Sequence, residues 1–140
     1  MAKKMHFLFL CTGNSVRSQM AEGFMRSYGG ESIDVKSAGT QPVGLNPNAV
    51  SVMNEVGIDI SVQTSDSLQE KNIKEYDWVI TLCGDARDSC PAVPASVRTE
   101  HWPLLDPVRA EGSPKEIIEI FRVIRCQIEN RVRKLLEQIG

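Results

Sequence analysis

Four cysteines, Cys11, Cys83, Cys90 and Cys126, are the side chains in this sequence best suited to covalent chemistry, and Cys11 has the most telling neighbours. It opens the stretch CTGNSVRS: Thr12, Gly13, Asn14, Ser15, Val16, Arg17 and Ser18 follow it in order. Backbone N–H groups of a tight loop that runs into a helix N-terminus form a concave cradle for an oxyanion. Gly13 permits a tight path, and Asn14 is a residue type that tolerates the left-handed region. Arg17 can curl back over the anion and grip two of its oxygens with its planar fork. The same positive field favours a thiolate at Cys11, to which Ser15 and Ser18 can donate hydrogen bonds. A thiolate beside a bound oxyanion is a nucleophile at work. The competing reading is a tight turn with a buried thiol; the spacing Cys-x5-Arg alone does not separate the two, and its setting decides for the cradle.

Such a cradle must be positioned by a strand before it and a helix after it, and the sequence predicts both. Met5–Cys11 (MHFLFLC) is a short apolar run of the kind found in buried strands. Met20, Ala21, Phe24, Met25 and Tyr28 then fall on one helical face, stopped by Gly29 and Gly30. Residues 33–38 read as a second strand. Pro47 opens a second helix with Ala49, Val50, Met53 and Val56 inward and Gly57 after them. A polar stretch over 65–75 has room for a short helix, and 77–83 (DWVITLC) reads as a third strand. A fourth spans 99–105, which Pro103 restricts to an edge or to the strand's end. From Ser113 and Pro114 the longest helix carries one continuous stripe of Ile117, Phe121, Ile124, Ile128, Val132, Leu135 and Ile139. This alternation predicts an α/β fold with a mainly parallel, four-stranded sheet flanked by helices on both faces. Ligands bind such sheets beyond the carboxyl ends of the strands, where Cys11, Cys83 and Asp106 all fall.

Length and charge narrow the function further. At 140 residues the chain predicts a single domain, residues 1–140, large enough for a core without disulfide staples. A net charge of −2 leaves no extended basic surface, which argues against duplex nucleic acid and anionic membrane as partners. No apolar run approaches the roughly 20 residues that a bilayer requires, and no signal peptide is legible, so a cytoplasmic location is expected. In that reducing compartment the cysteines are read as chemical or incidental, and their spacing fits no zinc site.

CTGNSVRSQMAEG resembles the active-site loop of the low-molecular-weight tyrosine phosphatase superfamily, and within it the thioredoxin-coupled arsenate reductases. The resemblance continues through SAGT at 37–40, GLNPNAV at 44–50, GIDIS at 57–61, QTSD at 63–66, VITLCGDA at 79–86, Cys90-Pro91, EHW at 100–102 and Asp106-Pro107. It implies a low-molecular-weight phosphatase-like fold and the reduction of arsenate to arsenite, an arsenic detoxification. Its catalytic residues would be Cys11, Arg17, Cys83, Cys90 and Asp106. Cys11 attacks arsenate while Asp106 acts as general acid. Cys83 then releases arsenite, leaving a Cys11–Cys83 disulfide, which passes to Cys83–Cys90 for reduction by thioredoxin. Seven residues of helix rise about 10.5 Å, and a disulfide needs Cα atoms about 4.4–6.8 Å apart. The Cys83–Cys90 bond therefore requires the segment between them to unwind. Without Cys11 nearby, two structural thiols at the strand and helix ends would be the preferred reading of Cys83 and Cys90.

Phosphate and sulfate would compete for the same loop, and weak phosphatase activity is expected. The alternative is a low-molecular-weight phosphatase that uses Cys11, Arg17 and Asp106 without a redox relay; an oxyanion or redox sensor is a third reading. Val16 departs from relatives that carry a second cysteine in the loop, so an internal disulfide with Cys11 is impossible. Val108 stands where phosphatases of the superfamily tend to carry an aromatic, which argues against a tyrosyl substrate. No tightly bound cofactor is implied. Asn14, Glu22, Ser37 and Asp66 match positions that hold potassium in some relatives, and a hydrogen-bond network without an ion is an equal reading of the same four oxygen-bearing residues. His101 is expected to be structural. Cys126, roughly 160–180° from the apolar stripe of its helix, is expected to be an exposed thiol without a role. The charges of the last helix, Arg122 and Arg133 among them, are read as a solvated face.

Overall fold

The computed structural model describes residues 4–68, 71–83 and 93–139. Strands β1 (Met5–Cys11), β2 (Ile33–Gly39), β3 (Trp78–Cys83) and β4 (Arg98–Leu104) alternate with helices α1 (Arg17–Gly29), α2 (Pro47–Asn54) and α3 (Pro114–Ile139). All strand pairs are parallel, in the order β2-β1-β3-β4. The apolar run of β1 suits a central strand, because a parallel strand has no wet face. Phe7, Phe9 and Cys11 enter a large core with Met20, Phe24, Val52, Met53, Phe121 and Ile128, which places α1, α2 and α3 on that face of the sheet. Leu8 and Leu10 point the other way, into a smaller core with Ala38, Val79 and Val97. Leu68, Ile73 and Tyr76, around the 3₁₀ turn Ile73–Glu75, pack against this second cluster.

β4 is the edge strand, which is how Pro103 is accommodated; its pairing with β3 slips between Thr81 and Cys83, leaving Cys83 opposite Leu104. α2 is shorter than its periodicity predicts. It begins as expected, with Pro47 in the first turn and the Asn46 side chain accepting from Asn48 N at 2.8 Å. It stops at Asn54, where Gly57 (φ 80°) turns the chain and Ile58 N reaches back to Met53 O. Val56 is thereby left exposed, and Val52 takes the buried place beside Ala49 and Met53.

α3 follows its predicted stripe, with Phe121, Ile124, Ile128, Val132 and Leu135 buried and Cys126 exposed. A reciprocal box opens it: Glu116 N donates to Ser113 Oγ at 3.2 Å, and Ser113 N donates to Glu116 Oε1 at 3.1 Å. The solvated-face reading of its charges needs correction at two places. Arg122 and Arg125 clamp Glu55 at the end of α2, and Arg133 lies over the ring of Tyr28. Among the described residues no helix is long and apolar enough to cross a membrane.

Candidate active site

The segment from Cys11 to Ser18 leaves the end of β1 and enters α1, as expected. Its shape follows from where its carbonyls go. Thr12 O accepts from Gln41 N at 2.9 Å, Gly13 O from Val43 N at 3.0 Å and Ser15 O from Asn46 N at 3.1 Å. Asn14 O accepts from the side-chain amide of Gln19 at 2.9 Å. In a trans peptide the N–H points opposite to the carbonyl of the preceding residue, and the described chain has no cis bond. Anchoring the carbonyls outward therefore turns the N–H groups of Gly13, Asn14, Ser15 and Val16 to the opposite side. That is the anion cradle.

Asn14 adopts the left-handed conformation expected of it, with φ 45°. Its buried side chain donates to Ser18 Oγ at 2.8 Å and to Ser37 Oγ at 2.9 Å, and it accepts from Asp66 N at 2.7 Å. Gly39 lies so close beneath the loop that a Cβ there would stand 2.4 Å from Thr12 O. Sequence reasoning missed Gly39, Gln19, Gln41 and Gln63 as supports of the loop. The quoted SAGT and QTSD segments were the available signal for two of them.

Cys11 is buried, and its Sγ lies 2.9 Å from Ser18 Oγ. Ser18 takes the role expected of the two serines, whereas Ser15 is tied down through its backbone. Arg17 is also buried, and its fork is partly engaged by the protein. Nη1 donates to Leu82 O at 3.1 Å and Leu104 O at 3.0 Å, the ends of β3 and β4, while Nη2 stands 3.6 Å from Asp106 Oδ2. The arginine thus joins three strand ends around the cradle. Asp106 caps the 3₁₀ turn Pro107–Arg109, with Oδ1 accepting from Val108 N at 3.1 Å. Cys11, Thr12, Gly13, Arg17, Asp106 and Arg109 line one cavity of about 200 Å³, with Val43 and Val108 also bordering it.

Cys83 is buried at the end of β3. Leu10 pairs with Thr81, so Cys83 lies at the strand end beside the cradle. In strand alternation it shares the phase of Val79 and Thr81, not that of Leu82. Cys90, and the expected helix leading to it, lie outside the described residues.

Asn14, Glu22, Ser37 and Asp66 come together beneath the loop. Each already has a protein partner: Ser37 donates to Glu22 Oε1 at 2.6 Å, Arg26 pairs with Glu22 Oε2, and Lys71 pairs with Asp66 Oδ2 at 3.0 Å. Burial works against the Asp66 carboxylate, but hydrogen bonds from Lys71 and Thr64 hold it below its ordinary range. The Asn14 amide nitrogen, a donor, faces Ser37. Arg26, itself half-exposed, and Lys71 thus pair with the two carboxylates of this group. His101 accepts or donates at 2.7 Å to Thr81 Oγ1, the structural role expected of it.

Fold and site together define a class: parallel α/β domains whose first strand-to-helix loop folds an amide cradle against a cysteine sulfur. The chain belongs to the low molecular weight phosphotyrosine protein phosphatase family, whose model matches residues 6–140. It is 53% identical over 137 residues to the arsenate reductase of Shouchella clausii (strain KSM-K16), covering 98% of each chain. It resembles the solved structure of an arsenate reductase in the phosphate binding state with a TM-score of 0.81 and 38% identity, covering 97% of this chain and 99% of that one. The thioredoxin-dependent arsenate reductase of Corynebacterium glutamicum gives a TM-score of 0.72 at 32% identity, over 99% of this chain and 63% of that one.

Proposed function

We infer that this chain reduces arsenate to arsenite with electrons from thioredoxin, a cytoplasmic detoxification of arsenic. One observation carries the reading: a second buried thiol, Cys83, ends the strand next to the cradle that holds Cys11, Arg17 and Asp106. Ester hydrolysis would need only the cradle and its acid. A two-electron reduction needs a second sulfur within reach, and the named relatives are reductases.

The reaction begins with arsenate held by the loop amides and Arg17. The Cys11 thiolate attacks arsenic, and one arsenate oxygen leaves as water with a proton from Asp106, forming a Cys11–S–As(V) bond. The Cys83 thiolate then attacks the Cys11 sulfur. The S–As bond breaks with its electron pair going to arsenic, so arsenite departs and a Cys11–Cys83 disulfide remains. Cys90 attacks Cys83, returning Cys11 as thiolate, and the thioredoxin dithiol reduces the Cys83–Cys90 disulfide. The balance is one arsenate and one dithiol consumed, one arsenite, one disulfide and one water formed. Phosphate stops after binding, because phosphorus(V) does not accept the electron pair. The strand phase of Cys83 adds a requirement: the end of β3 must turn for its sulfur to meet Cys11. The β3–β4 slip at that point supports such a turn.

The test is arsenate-dependent NADPH oxidation with thioredoxin and thioredoxin reductase, repeated with glutaredoxin and glutathione. Turnover is expected with thioredoxin alone. Cys83→Ser should lose arsenate turnover to background while a weak hydrolysis of p-nitrophenyl phosphate survives; Cys11→Ser should lose both. Hydrolysis without reduction in the unaltered protein would assign a phosphatase instead. We further propose that Arg26 and Lys71, paired with Glu22 and Asp66, take the place of an ion beneath the loop.

A further inference from the structure

The reaction cavity is also lined by Arg109, to which the mechanism above gives no task. Arg109 ends the turn that Asp106 begins, and its Nε stands 4.0 Å from Asp106 Oδ2. The two arginines that face this carboxylate are built differently. The Arg17 side chain is 2% exposed and is fixed by the ends of β3 and β4, whereas that of Arg109 is 41% exposed. Neither contact is a close bidentate pair, so the carboxylate is loosely shared between them.

Charge decides what an anion meets here. Without Arg109, the Arg17 guanidinium, the Asp106 carboxylate and the Cys11 thiolate that line the cavity sum to one net negative charge, which a dianion would have to enter. Arg109 brings that balance to zero. Its exposed stem can rotate, and the short turn holds its Cα beside the cavity.

We propose that Arg109 is a substrate-binding residue: it exchanges its contact with Asp106 for an oxygen of the incoming arsenate, and so selects dianionic over monoanionic oxyanions. The proposal rests on the arsenate-reductase reading for its substrate. The capture occurs on binding, so its effect falls on KM rather than kcat.

Arg109→Gln and Arg109→Lys test this by steady-state kinetics, together with calorimetric binding of sulfate and of nitrate to the reduced protein. For Arg109→Gln the KM for arsenate and the Kd for sulfate are each expected to rise about tenfold, the size of one charge-assisted contact. Nitrate affinity should change less than sulfate affinity, kcat should stay within about twofold, and Arg109→Lys should recover most of the loss. Unchanged KM and sulfate Kd would overturn the proposal, as would a fall in kcat at constant KM. Equal losses for sulfate and nitrate would overturn the selection of dianions. The sulfate arm needs no turnover. A tenfold loss there in a protein that does not reduce arsenate would sink the reductase reading and leave the binding role intact, and arsenate reduction by Arg109→Gln with unchanged KM and sulfate Kd would do the reverse.

Discussion

At Asn14 one side chain joins its own loop to two distant parts of the chain. It holds Ser18 on the helix, Ser37 on β2 and the backbone N–H of Asp66, while its own backbone takes the left-handed turn at φ 45°. Asn14→Ala removes all three bonds inside a buried site. Leaving such groups unpartnered costs about 1–3 kcal/mol, and an alanine in the left-handed region adds about 1–2 kcal/mol. For a chain of this size the midpoint of thermal unfolding is expected to fall by roughly 5–15 °C, as calorimetry would read it. Asn14→Gly relieves the strain but not the lost bonds, so it should recover only part of that fall. Equal midpoints for Asn14→Ala and the unaltered protein would mean that the three bonds do not define the loop.

Between elements, the least expected device is the clamp of α2 on α3. Glu55, at the cap of α2, accepts from Arg122 at 2.7 Å and from Arg125 at 2.8 Å. Arg122 first, then Arg125, hold its carboxyl down from an ordinary 4.5 to about 2. A carboxyl whose folded value lies below its unfolded one stabilises the fold above the unfolded value. That contribution is complete above pH 4.5 and is lost as the pH falls from 4.5 toward 2. Urea unfolding across this window should therefore weaken more steeply for the unaltered protein than for Glu55→Gln. Parallel pH curves would show that the clamp contributes nothing. The sequence placed Arg122 on a solvated face because its helix position is polar, and nothing local marks a partner 67 residues away.

Across the whole molecule the cradle gathers the end of β1, the 41–46 and 63–66 segments and the ends of β3 and β4. A ligand that binds only this assembled state stabilises it by about 2.7 kcal/mol at a hundredfold excess over Kd. Sulfate at fixed ionic strength is accordingly expected to raise the melting midpoint by roughly 5–10 °C, and Arg17→Ala to abolish the rise. Exchange of sodium for potassium chloride should leave both the midpoint and the KM for arsenate unchanged, since Arg26 and Lys71 already neutralise Glu22 and Asp66. A rise in either stability or affinity with potassium alone would reinstate an ion beneath the loop.

Taken alone, the sequence determines the order of the elements, the cradle at Cys11 and the convergence of Cys11, Cys83 and Asp106 on strand ends. These rest on adjacent residues or short periods: the apolar run of β1, the helical stripe of α3, the glycine and asparagine of the loop. Tertiary structure decides what depends on distance between remote segments. The close approach of Gly39 to Thr12, the bonds of Arg17 to Leu82 and Leu104, and the bond of Asn14 to Ser37 are of this kind. So is the place of Arg109 in the reaction cavity. A local pattern fixes which residues can act, but strand order and register fix which of them meet, because only the sheet sets the spacing between segments that the chain itself keeps far apart.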